Sequence, residues 1–253
     1  MAGHNKWSKV KHIKARVDVI KGRVFSKCSH EIALAARAGG GDPAANPRLR
    51  TAIENAKAVS MPKDNIERAV KKGTGELGGD AIEEVMYEGY GPDGIAFMVV
   101  MATDNLNRSA ADVRSIFTKN NGSVATQGSV AFQFDHCGEI RIAADELEAD
   151  RLLEVAIEAG ADDARSEGAE DGEHVLFTAR AQLGAVAKSL RDAGLQVASE
   201  KLVYIAQNPS LVADVVVARQ VIKLHDRLDD YQDTVAVYTN FDLAEEILDQ
   251  LED

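Results

Sequence analysis

The sequence predicts an α+β protein, with an N-terminal helical bundle followed by two ferredoxin-like α/β domains, the second inserted into the first. Three observations carry that expectation. Up to the glycine-rich stretch 73–79 (GTGELGG), apolar residues recur at helical spacing. Residues 138–204 contain a complete strand–helix–strand–strand–helix–strand order, the split βαβ unit. The run 80–136 reads as strand–strand–helix–strand, and the chain after 204 supplies the helix and strand that would complete it. The expected domains are therefore 1–79, 80–137 plus 205–253, and 138–204.

The helices come first. In 22–38, Phe25, Cys28, Ile32, Ala35 and Ala36 fall on one stripe, and Gly39, Gly40 and Gly41 stop the helix. Asp42-Pro43 and Asn46-Pro47 punctuate the turn. A second helix over 48–59 sets Leu49, Ala52, Ile53, Ala56 and Val59 on one face, with Arg48, Arg50 and Lys57 elsewhere. Pro62 opens a third, in which Asp64 and Glu67 suit the positive helix start and Lys71-Lys72-Gly73 the close. The stretch 73–79 is the expected linker.

Beyond Asp80, 84–90 and 95–103 flank the turn Gly91-Pro92-Asp93-Gly94 and read as a hairpin. A helix over 108–119 follows, capped by Asn107, with Val113, Ile116 and Phe117 facing in. Residues 129–134 alternate Val130, Phe132 and Phe134, the pattern of a half-buried strand. Further strands are expected at 139–143, 162–166, 174–179, 195–202 and 234–238, and helices at 145–159, 182–193 and 211–228.

Charge is distributed unevenly. Through residue 75 there are 16 basic and 6 acidic side chains, a net of +10, whereas the other 178 residues carry −22 and bring the total to −12. Eight cations crowd the first 27 residues, Lys6, Lys9, Lys11, Lys14, Arg16, Lys21, Arg23 and Lys27, against one acid, Asp18. Such asymmetry marks a polyanion-binding module, with attraction between the two halves of the chain as the alternative. Trp7 and His12 interleave the cations and could stack on a base or sugar, which favours RNA or unpaired strands; the alternative for Trp7 is a core anchor that pins the N-terminus to the bundle.

Other classes find less support. Two cysteines, Cys28 and Cys137, show no metal spacing and fit a reducing cytoplasm. No run of about 18 apolar residues exists to span a membrane. The sequence has no Gly-Lys dipeptide and so no phosphate loop of the Walker type, and no GxSxG elbow. His30-Glu31 begins a zinc-protease pattern, but Leu34 stands where the second histidine belongs. The pairs Asp162-Asp163 and Asp229-Asp230 could hold Mg²⁺, yet sit at element boundaries where aspartate favours turns. A metal-dependent phosphoryl hydrolase near Asp104, Asp229 and Asp230, and an adaptor docking basic proteins through its acidic domains, remain as alternatives.

Several blocks resemble the YebC/PmpR family: MAGHNKWSK with Lys11, His12 and Lys14, KGRVFSK at 21–27, GGGDPAANPRLRTAI at 39–53, MPKDNIERAVKKG at 61–73, YEGYGPDG at 87–94, TDNLNR at 103–108 and NNGSVATQGSVAFQF at 120–134. Relatives of that family include the mitochondrial translational activator of cytochrome oxidase. Ile13 and Leu106 depart from its basic pattern. The resemblance implies a three-domain, non-enzymatic, cytoplasmic protein; separately, a monomer with no cofactor and no membrane association is expected. It further implies a transcriptional regulator that binds DNA, or a translation factor that contacts ribosomal RNA and relieves stalling on the ribosome. The expected nucleic-acid contacts are Lys6, Trp7, Lys9, Lys11, His12, Lys14, Arg16, Lys21, Arg23, Lys27, Lys63 and Arg108.

Overall fold

Helix α1 (Val17–Gly39) ends where Gly40 enters the left-handed region, φ 85°, which glycine adopts without strain. The computed structural model of the chain describes residues 17–143, 149–167 and 173–252. Asn46 caps α2 (Pro47–Ala58), its side-chain oxygen accepting from the Leu49 amide at 3.1 Å. The amide nitrogen of Asn46 donates to the Ala35 and Gly40 carbonyls at 2.7 and 2.9 Å, so one buried side chain ties the end of α1 to the start of α2. Helix α3 (Lys63–Thr74) follows Pro62 and closes on Gly75, φ 82°.

These three helices share a core of Ile32, Ala35, Ala36, Leu49, Ala52, Ala56, Met61, Ile66 and Ala69. The other side of α1 sets Ala33 and Leu34 against Ile82, Ala102 and Val235. Two partner surfaces explain why residues 32–36 are buried all round, wider than a one-sided amphipathic stripe.

Strands β1 (Glu83–Tyr90) and β2 (Ala96–Thr103) pair antiparallel from Glu83 opposite Thr103 to Tyr90 opposite Ala96. Helix α4 (Leu106–Lys119) is capped by Asn105, two residues before the expected Asn107, because it is Asn105 whose side chain accepts from the Arg108 amide at 3.0 Å. Strand β3 (Ser123–Val124) adds to β1, and a late strand, β9 (Thr234–Thr239), adds to β2, giving the order β3-β1-β2-β9. Phe97 and Phe117 meet edge-on in its core, with centroids 5.9 Å apart.

The expected strand at 129–134 is a correction. Ala131–Gln133 is a 3-10 turn, and Phe132 is 70% exposed while Val130 and Phe134 are buried. The carboxylate of Glu88 accepts from the amides of Gly128, Val130 and Ala131 at 2.6, 2.7 and 2.9 Å, so these donors bind a side chain and not a neighbouring strand.

A second sheet contains β4 (Phe134–Ala143), β5 (Asp163–Glu167), β6 (Glu173–Ala179) and β7 (Val197–Ala206) in the order β5-β6-β4-β7. Helices α5 (Ala149–Ala159) and α6 (Leu183–Asp192) pack Leu152, Ala156, Val186, Ala187 and Leu190 on its Ile140, Ile142 and Leu176. The start of the helix expected at 145–159 falls partly on 144–148, outside the described residues.

After β7, β8 (Ser210–Val212) pairs in parallel with β10 (Phe241–Leu243). The helix expected from 211 therefore begins later, as α7 (Val215–Asp229), where Asp214 accepts from the Val216 and Val217 amides at 2.7 and 3.0 Å. A short α8 (Leu248–Glu252) follows. By contacts the chain divides into two compact units, one formed up to Phe134 and again from Ala206, the other by Asp135–Ile205. Among the described residues, no helix is long and apolar enough to cross a membrane.

Candidate nucleic-acid interface

The cationic segment narrows to α1 within the described residues, because Lys6, Trp7, Lys9, Lys11, His12, Lys14 and Arg16 lie outside them. Lys21 falls on α1. Arg23 and Lys27 follow on the same helix, four residues apart and so on one face. Both meet carboxylates at the end of α7: Arg23 Nη1 lies 2.5 Å from Asp230 Oδ1, and Lys27 Nζ is hydrogen-bonded to Asp229 Oδ1. Burial lifts Asp230 above the usual carboxylate range, and Asp226 and Asp229 add to the rise against the pull of Arg23. The Asp229-Asp230 pair thus serves as counter-ion to α1. The sequence gives this pairing no signal, since about 200 residues separate the partners.

Two other cations of the helical region bridge to the first sheet. Arg48 donates to Glu31 Oε1 at 2.8 Å and to Glu84 Oε2 at 2.7 Å, and Arg37 hydrogen-bonds the Ile82 carbonyl and reaches Glu83 at 3.3 Å. The attraction between oppositely charged regions that the sequence left open is therefore used in part for docking. Lys63 lies out in solvent, 87% exposed along its side chain, with Glu67 3.4 Å away. Arg50, Lys57, Arg68 and Lys71 are also exposed on α2 and α3. None was expected as a contact, although helical spacing opposite the apolar stripe marks them.

Arg108 is built into a polar junction. Its Nη2 donates to Asp233 Oδ2 at 2.8 Å and to Asp104 Oδ1 at 3.1 Å. The buried Asp233 also accepts from the Thr103 and Ser109 hydroxyls, each at 3.0 Å. Burial pushes its carboxyl up, but these donors outweigh burial and hold it below the usual range. Lys72 approaches Asp104 at 3.8 Å. His30 on α1 is depressed chiefly by burial, against the opposing influence of Asp233 and Asp104. A groove of about 390 Å³ opens beside this junction, bordered by Asp80, Glu83, Asp104, Asn105 and Asn107. Its rim is acidic, which repels phosphate. Among the described residues no group of three or more His, Cys, Asp or Glu is arranged to hold a metal ion. Burial, followed by Glu139 and other acids, pushes the Cys137 thiol up to about 11, opposite to the shift an activated nucleophile needs.

Fold and site together define a mixed α/β protein with a helical N-terminal region and antiparallel sheets, whose first three helices all carry cations. Residues 5–76 match the family model for the TACO1/YebC protein N-terminal domain, and residues 82–241 that for the TACO1/YebC second and third domain. The chain is 55% identical, over 99% of its length and 100% of the relative's, to a probable transcriptional regulatory protein of Akkermansia muciniphila. It is 47% identical to another so named from a Sulfurihydrogenibium species, over all of both chains. The crystal structure of a conserved hypothetical protein from Aquifex aeolicus is similar with a TM-score of 0.87 and 43% identity, covering 96% of this chain and 98% of that one. The chain belongs to the TACO1/YebC family.

Proposed function

We propose that the chain is a non-enzymatic regulator of gene expression that holds nucleic acid against its basic N-terminal segment and α1. The observation that carries this reading is the segregation of charge, +10 through residue 75 against −22 in the rest. Lys and Arg neutralise phosphates and release counterions, while the acidic remainder keeps nucleic acid from approaching elsewhere. Lys6, Lys9, Lys11, Lys14, Arg16, Lys21, Arg23, Lys27 and Lys63 supply phosphate contacts, Trp7 and His12 stack, and Arg108 borders the interface. The names of the relatives favour transcriptional regulation. The stacking residues favour structured RNA, with ribosomal RNA and the ribosome as the target. The protein acts in the cytoplasm as a monomer, and its α/β part consists of two ferredoxin-like domains, one inserted in the other.

Promoter footprinting and ribosome co-sedimentation, each across a salt series, test this with the full chain and the Lys9→Glu/Lys11→Glu/Lys14→Glu variant. Binding should weaken with salt and vanish in the variant. Ribosome association without promoter footprints selects RNA, and specific footprints without ribosome association select DNA. Equal binding by the variant and the wild type refutes the reading.

A further inference from the structure

Arg23 and Lys27 stand one above the other on α1, about 6 Å apart along the helix axis. They face the carboxylates of Asp230 and Asp229 at the end of α7. That end is a poor place for acids. A helix C-terminus carries partial negative charge, and Asp226 lies one turn before Asp230 in the same helix. The acids therefore crowd where their own helix repels them, with cations of a different element against them. Two adjacent anions set against two basic side chains resemble a stretch of sugar–phosphate backbone. Their location is not deep, since the side chains of Arg23 and Asp230 are 48% and 34% exposed and those of Lys27 and Asp229 28% and 19%. The Arg23–Asp230 pair is accessible enough to hold weakly and to be open to competition.

We propose that Arg23 and Lys27 form a phosphodiester-binding site that Asp229 and Asp230 occupy in the free protein, so that nucleic acid engages α1 by displacing these carboxylates. The inference rests on the reading of the basic region as the nucleic-acid interface and adds a competitor to it. Binding then frees the end of α7. The competition also screens weak polyanions, because a ligand must supply phosphates at both positions to replace two internal carboxylates. Displaced aspartates take up cations from solution, which offsets part of the counterion release that normally drives binding.

The test compares full-length wild type, Asp229→Asn/Asp230→Asn, and Asp93→Asn/Glu246→Gln, the last removing the same two charges from places outside the ion pairs with α1. Each is titrated with a labelled single-stranded RNA and with duplex DNA between low and physiological salt. The Asp229/Asp230 variant should bind about threefold to tenfold more tightly than wild type. Its salt slope on duplex DNA should be steeper by up to about 1.8, two phosphates at about 0.9 each. The Asp93/Glu246 control should stay within about twofold of wild type. Equal or weaker binding by the Asp229/Asp230 variant, or an equal gain in the control, overturns the competition while leaving the interface intact. If neither wild type nor variant binds either probe at low salt, the interface itself fails and this inference with it.

A second measurement needs no variant. A zero-length carbodiimide should join the Lys27 amine to the Asp229 carboxylate in the free protein, and saturating RNA should suppress that cross-link. An undiminished cross-link in the RNA-bound protein overturns the proposal.

Discussion

Arg108 donates to Asp233 at 2.8 Å across 125 residues of sequence, joining the first turn of α4 to the residue just before β9. Asp233 is also reached by two hydroxyls, so Arg108 is one donor among three. Removing the acceptor therefore does more damage than removing this donor. Asp233→Ala should cost about 2–4 kcal/mol of stability, with three donors losing their shared acceptor. Arg108→Ala should lower the melting temperature by a smaller step. Thermal and urea melts of the two variants check the order, and an Arg108→Ala loss equal to or larger than that of Asp233→Ala contradicts it.

Glu88 should make stability depend on pH in the acid range. Burial pushes its carboxyl up, yet the amides of Gly128, Val130 and Ala131 outweigh burial and leave it below the ordinary value of 4.5. A depressed folded value stabilises above the unfolded one and loses that contribution as pH falls through the folded one. Glu88→Gln should cost about 1–3 kcal/mol at pH 7, since its amide retains a single accepting oxygen. The gap between variant and wild type should shrink progressively below about pH 4.5. Melting temperatures from pH 7 to pH 3 test the sign, and a gap that widens in acid rules out this account.

Gly73 should resist a substitution that helices ordinarily welcome. Alanine is favoured over glycine in a helix interior by about 1 kcal/mol. At Gly73, however, a Cβ would lie 2.3 Å from the Ala33 carbonyl oxygen, where α3 rides against α1. Overpacking of this kind costs about 1–3 kcal/mol, so Gly73→Ala should be net destabilising. At Gly22 on α1 a Cβ meets nothing within 4 Å, and Gly22→Ala should be neutral or stabilising. Denaturant midpoints of the pair decide whether close approach or propensity governs.

Phe132, within the 3-10 turn, and Phe134, just after it, should differ sharply. Phe134→Ala should cost about 3–5 kcal/mol, as for other buried aromatics. Phe132→Ser, on a side chain 70% exposed, should stay within about 0.5 kcal/mol. Similar losses in both would restore the strand that alternation alone suggests.

Much of the local structure was legible beforehand. The stripe Leu49, Ala52 and Ala56 identifies α2, Pro62 and Lys71-Lys72-Gly73 bracket α3, and the turn Gly91-Pro92-Asp93-Gly94 fixes the β1–β2 hairpin. The cap of α4 is missed locally, by two residues, but the two larger failures share one cause. Alternation at 129–134 imitates a strand because Val130 and Phe134 are buried from the two ends of a turn organised by Glu88. The early start expected for α7 fails because Leu211 is taken into β8 by β10, about 30 residues away. The candidate interface divides the same way. Helical spacing places Arg23 and Lys27 on one face, but nothing local identifies Asp229 and Asp230 as their partners.

The sequence by itself determined the elements with regular periodicity, the family, and the concentration of positive charge at one end, because each is written in composition or short-range spacing. Tertiary structure alone decided that α1 is buried on two sides, that Glu88 gathers a loop, and which carboxylates meet Arg23, Lys27 and Arg108. Those relationships depend on residues roughly 40 to 200 positions apart, and only chain folding brings their charges and donors within hydrogen-bonding distance.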